Sequence, residues 1–213
     1  MLKTIRYIVV AISVVLTLAW GVIWLRGGDI RQLGLGDLGL DRIGIAVPDG
    51  ISIGGPFTLV DTAGATVTDA TYRGRWMLVY FGYTFCPDVC PTEMQTISAA
   101  LDLLGPSASK VVPILITIDP ERDTPAALAE YVKLFDSRLV GLTGTPDQIA
   151  AAARAYRVYY ARAKSADATA YLMDHSSFVY LIGPDGKFRA LFRQGVTAQD
   201  LAESLKTRMA AGS

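Results

Sequence analysis

The chain has 213 residues, of which 51% are apolar, with 20 basic and 20 acidic side chains. That length accommodates one ordinary domain with appendages, and a formal net charge of zero argues against a surface built for nucleic acid or an anionic membrane. Two cysteines, Cys86 and Cys90, and one histidine, His175, are its whole supply of thiol and imidazole metal donors.

Tyr7 to Leu25 is an apolar run broken only by Ser13, Thr17 and Gly21. As a helix it would cover about 28 Å, close to the roughly 30 Å hydrocarbon core of a bilayer. Thr17-Leu18-Ala19 would serve as a signal-peptide cleavage site, but apolar residues continue past it, so a single uncleaved transmembrane anchor over residues 1–26 is the expectation. Lys3 and Arg6 before the span nearly balance Arg26 and Arg31 after it. The α-amino group and Asp29 tip the N-terminus toward the cytoplasm and the rest of the chain toward the outer face, where a cysteine pair can be oxidised. Residues 27–54 are glycine-rich and read as a flexible tether; residues 55–213 form the folded domain.

In chain order, Phe57–Asp61 and Ala65–Thr68 read as a short hairpin, and Trp76–Phe81 as a central strand buried on both faces. A helix is predicted from near Pro87 to Leu104, where Gly105-Pro106 stops it. Val111–Ile118 is a second buried strand; Thr124-Pro125 opens a helix to about Phe135; Leu139–Leu142 is a short strand; Thr145-Pro146-Asp147 caps a helix to about Tyr156. A polar stretch comes next. Ser177–Ile182 and Lys187–Phe192 flank Gly183-Pro184-Asp185-Gly186 as a hairpin, and Thr197–Met209 is a final helix. The order defines an α/β, thioredoxin-like fold with an N-terminal β-hairpin extension.

Cys86 is placed where a strand turns into a helix, so helix N–H groups should favour its thiolate. Cys90, four residues on, falls on the same helical face. Such a pair can close a disulfide or give two thiolates to one ion; the alternative is two inert core thiols. C-x-x-x-C differs from the C-x-x-C of thioredoxin-like redox motifs. His175 immediately precedes a strand expected to run antiparallel to the cysteine strand, which brings it to the edge carrying the cysteine loop. Its alternative is a structural histidine. Two thiols and an imidazole suit copper better than structural zinc, which wants four ligands. Asp119 ends the second buried strand at the carboxyl edge of the sheet, as a support for the site, a loop cap or a mate for Arg122. Asp174 either orients the imidazole or is solvated.

Tyr80-Phe81-Gly82-Tyr83-Thr84-Phe85-Cys86-Pro87-Asp88-Val89-Cys90-Pro91, Asp119-Pro120-Glu121-Arg122-Asp123-Thr124-Pro125 and Asp174-His175-Ser176 together resemble the Sco/SenC family of copper-binding cytochrome oxidase assembly factors. The resemblance covers about Gly55 to Met209. It implies that Cys86, Cys90 and His175 bind copper, as Cu(I) or Cu(II), with Asp119 supporting the site. It also implies copper delivery to, or reduction of the cysteines of, the binuclear copper centre of cytochrome oxidase subunit II, by a domain anchored on the periplasmic face. Disulfide formation would remove both thiolates and release the metal. A copper donor and a thiol reductant are further expected partners. The rival expectation is a thiol–disulfide oxidoreductase that uses the same cysteines without a stable metal, and a peroxidase is a weaker third.

Overall fold

The computed structural model describes residues 52–163 and 171–211, together with Ser13 and Thr17. The chain divides into two units, Met1–Leu40 and Asp41–Ser213, and the sheet and helices below belong to the second. The expected span over Tyr7–Leu25 lies, save Ser13 and Thr17, outside the described residues. Among the described residues no helix is long and apolar enough to cross a membrane.

Nine strands and four α-helices occur among the described residues of this unit. β1 (Thr58–Asp61) and β2 (Thr66–Thr68) form the hairpin expected from the sequence. β3 (Trp76–Gly82) is buried at every position; it pairs in parallel with β4 (Val111–Thr117) and antiparallel with β8 (Phe178–Ile182). β5 (Val140–Thr143) and β9 (Phe188–Arg193) complete a seven-stranded sheet in the order β2-β1-β5-β4-β3-β8-β9. A strand covered on both faces needs an unbroken apolar run, which is what Trp76–Phe81 supplies. Pro113 is accepted within β4 because β5 begins pairing only at Ile114, so Pro113 has a strand on one side only.

The helices start and stop where local chemistry dictates. α1 (Val89–Leu104) ends at Gly105, whose φ of 57° is a left-handed position that glycine takes without strain. α2 (Pro125–Val132) begins with Thr124 accepting from the Ala127 N–H at 3.2 Å. It stops three residues short of the expected Phe135, because Leu134 and Phe135 donate instead to Tyr131 and Val132, three residues back, in the tighter geometry common at helix ends. α3 (Pro146–Ala155) carries a capping box between Thr145 and Gln148. α4 (Ala198–Ala211) packs against α1.

One element was not expected. The polar stretch after α3 contains β6 (Tyr160–Arg162) and β7 (Met173–His175), which pair antiparallel as a separate two-stranded sheet. His175 therefore closes β7, with Ser176 and Ser177 between it and β8. The sequence hid this ladder because its two strands are three residues each, too short to show a period.

Candidate metal centre

α1 begins at Val89, two residues later than expected, so Cys86 precedes the helix and Cys90 is its second residue. Asp88, at the cap position, makes no capping bond through its side chain. The sulfur of Cys86 takes that part and accepts the Cys90 N–H at 3.4 Å, satisfying an amide that the helix leaves over.

Both cysteines are free thiols, Cys86 half-buried and Cys90 fully buried. Tyr80 and Gly82 lie on the face of β3 beneath α1, two residues apart as a pleat requires. The Tyr80 hydroxyl donates to Cys90 Sγ at 3.8 Å. At Gly82 a Cβ would stand 3.0 Å from the same sulfur and 2.8 Å from the Tyr80 ring, so only glycine leaves room there.

The two thiols are electrostatically unlike. The Cys90 thiol hydrogen-bonds to Cys86; this, with bonds from His175 and the backbone, outweighs burial and pulls Cys86 down to about 3. The same bond to Cys86, with burial, pushes Cys90 up. The pair thus holds one thiolate, at Cys86, and one proton, at Cys90. Burial, with Cys90 adjacent, also pushes the Tyr80 phenol up.

The imidazole completes the cluster. His175 Nε2 lies 3.7 Å from Cys90 Sγ, and Nδ1 lies 3.2 Å from the Ser176 carbonyl oxygen. A carbonyl only accepts, so that contact places a proton on Nδ1, while Nε2 faces the sulfurs. The rings of Tyr80 and Tyr83 meet the imidazole edge-on, with centroids 6.0 and 6.1 Å away. Sulfur and nitrogen bound at about 2.3 and about 2.0 Å to one ion at a trigonal angle stand about 3.7 Å apart, so the Cys90–His175 spacing fits a shared ion. Among the described residues no group of three or more His, Cys, Asp or Glu side chains is already disposed to hold a metal. Cys86, Cys90 and His175 are nonetheless gathered at this one place.

The acidic candidates separate. Asp119 is buried at 3% exposure and accepts from Arg122 Nε and, at 2.7 Å, from the Tyr171 hydroxyl. It braces the segment leading to His175. Asp174 is exposed, and its carboxylate has no mate among the described residues; the ring is oriented by Ser176 instead.

Asp123, next to the capping Thr124, had no predicted role. It is fully buried and accepts from Thr84 N at 3.0 Å, Thr84 Oγ1 at 2.5 Å and Thr117 Oγ1 at 2.6 Å. It thereby pins the cysteine loop to the end of β4. A buried carboxylate needs such donors, but a lone Asp in a charged run shows no sequence sign of burial.

A reduced cysteine pair at a strand–helix junction, faced by an imidazole from a neighbouring small sheet, defines a thioredoxin-like domain with a soft-donor site. The SCO1/SenC family model matches residues 46–210, and the chain belongs to that family. It is 45% identical over 159 residues to the human mitochondrial protein SCO1 homolog, covering 74% of this chain and 53% of the relative. To SenC of Rhodobacter capsulatus it is 45% identical over 153 residues, covering 72% of this chain and 69% of the relative. The solved structure of Bradyrhizobium japonicum ScoI with copper bound superposes with a TM-score of 0.68 at 45% identity, covering 73% of this chain and 98% of that one. The chain spans about half the length of the human relative.

Proposed function

We propose that this chain carries copper. Cys86, Cys90 and His175 hold the ion, and the protein passes it on during assembly of the binuclear copper centre of cytochrome c oxidase subunit II. The observation that carries the reading is the approach of His175 Nε2 to 3.7 Å from Cys90 Sγ, beside the Cys86 sulfur. Two sulfurs and one nitrogen suit Cu(I), and the imidazole also serves Cu(II). The copper-bound Bradyrhizobium relative supports the choice of metal.

In this reading Cys86, a thiolate and the more exposed sulfur, meets the ion first. Cys90 joins as it gives up its proton, and His175 closes the set. Oxidation of the two ion-bound thiolates to a disulfide, with two electrons passing to an oxidant, removes both sulfur donors and releases the ion. The domain stands on the periplasmic face of a bacterial inner membrane behind an anchor at Tyr7–Leu25, with a copper donor and a thiol reductant as further partners. The apolar N-terminal run and family membership support that placement.

Copper titration of the reduced protein tests the ligand set. Cys86→Ser, Cys90→Ser and His175→Ala should each weaken binding by at least about tenfold, the scale of a lost contact at a metal site; unchanged affinity in any of them removes that residue from the set. A strain carrying His175→Ala, assayed for oxidase assembly with and without added copper, separates the two tasks of the site. Rescue by copper marks delivery. Assembly that instead tracks disulfide-reductase activity marks the oxidoreductase.

A further inference from the structure

Arg122 joins, through one guanidinium, the segments that carry all three donors. Its Nε donates to Asp119, two residues past β4. Its Nη1 donates to the Tyr171 carbonyl at 3.0 Å, four residues before His175. Its central carbon lies 3.8 Å from the centroid of the Tyr171 ring, 4.7 Å from that of Phe85 and 5.9 Å from that of Tyr83. Phe85 directly precedes Cys86, so the same cation rests against the cysteine loop and against the approach to the histidine. Nη2 is buried with no hydrogen-bond partner among the described residues, as expected of an arm packed against aromatic faces.

The placement matters because the donors come from different elements, the cysteines from the loop and first turn of α1 and the histidine from the small sheet. Among the described residues β7, which carries His175, pairs with β6 and not with the main sheet, and two residues join it to β8, so side-chain contacts are left to set how the imidazole stands against the sulfurs. A planar guanidinium that bonds at its edge and stacks on its face can set such a distance; an ammonium cannot.

We propose that Arg122 is the positioning residue that sets His175 against the two cysteines. The inference rests on the copper reading for its consequence, but not for its geometry. Two measurements on the full chain keep these apart. In the reduced, metal-free protein, NMR cross-peaks between the His175 ring and the Tyr80 and Tyr83 rings report the spacing, and the Phe81–Tyr180 pair, 6.1 Å between centroids, serves as the control for an intact fold. Arg122→Met should weaken the histidine cross-peaks and keep the control. Arg122→Lys, which keeps the charge, should do the same and stands in should the methionine variant fail to fold.

The second measurement is copper affinity in a double-mutant cycle. Arg122→Met should lower affinity about tenfold where His175 is present and leave it unchanged where His175 is already alanine. Equal losses in both backgrounds, or histidine cross-peaks untouched by either variant, overturn the proposal. A wild-type chain that takes up no copper sinks the copper reading alone, and the cross-peaks still decide the role of Arg122.

Discussion

The phenol oxygen of Tyr83 accepts the backbone N–H of Met173 at 3.1 Å. This one bond links the residue three before Cys86 to the residue two before His175, and both ends are buried. Tyr83→Phe keeps the ring and removes the acceptor, leaving a buried amide without a mate. The expected loss is about 1–2 kcal/mol of unfolding free energy, read by urea denaturation. A variant as stable as the parent would mean that water or a shifted β7 takes the amide.

The unequal thiols predict a distinctive pH profile. With Cys86 held at about 3, its alkylation by iodoacetamide should be nearly flat from about pH 5 to 8, whereas an ordinary thiol slows roughly tenfold per pH unit below about 8.5. Cys90, buried and pushed up, should not react in that window. In His175→Ala one of the bonds that favours the Cys86 thiolate is lost, so its profile should move toward higher pH. Mass-spectrometric counting of modified sites distinguishes the two sulfurs.

Asp123 anchors the cysteine loop through three donated hydrogen bonds. Asp123→Ala leaves the buried Thr117 donor and the half-buried Thr84 donors unsatisfied and should cost about 2–4 kcal/mol of stability. Asp123→Asn retains an oxygen acceptor and should cost less. Equal losses in the two variants would show that the volume, and not the hydrogen bonds, matters.

Glu93 on α1 is 2% exposed. Its Oε1 accepts from Gly195 N at 3.1 Å, while Oε2 has no hydrogen-bond partner among the described residues. Burial pushes this carboxyl up. A folded pKa above the unfolded one means that its favourable share of stability is complete below the unfolded value and disappears as pH rises through the folded value. Glu93→Gln should therefore be more stable than wild type at pH 7, by on the order of 1 kcal/mol. The advantage should shrink to nothing under acid. Thermal denaturation across pH 4–8 would show a gap of the opposite slope if the carboxylate were stabilised by a cation instead.

The strands with long apolar runs were legible because both faces of β3 and β4 are covered, which leaves no polar residue to blur the pattern. Helix starts at Thr124 and Thr145 were equally plain, since a hydroxyl followed by proline has one economical use. The chemistry at the site was visible as residue types and hidden as contacts. Cys86, Cys90 and His175 stood out by scarcity alone. Tyr83 and Asp123 did not, and Arg122 was legible only as a mate for Asp119, because their bonds to Met173, Thr84 and Tyr171 reach residues tens of positions away, and a short ladder such as β6–β7 has no period to betray it. Asp174 shows the converse: adjacency in sequence leaves open a bond to His175 or a solvated carboxylate, and the strand gives the second, since neighbouring residues on a strand point to opposite faces.

Gly82 gives the site a threshold and a back wall. Behind Cys90 stand the Tyr80 ring and a backbone with no room for a methyl group, so that sulfur has no retreat and no rear approach. Cys86 stands in front of it, open to the outside. Anything that exchanges with the pair, whether an incoming thiol, an oxidant or an ion, must engage the outer sulfur before the inner one and leave in the reverse order. The unequal exposure of the two sulfurs thus gives an order to a site that composition alone would describe only as two thiols and a ring.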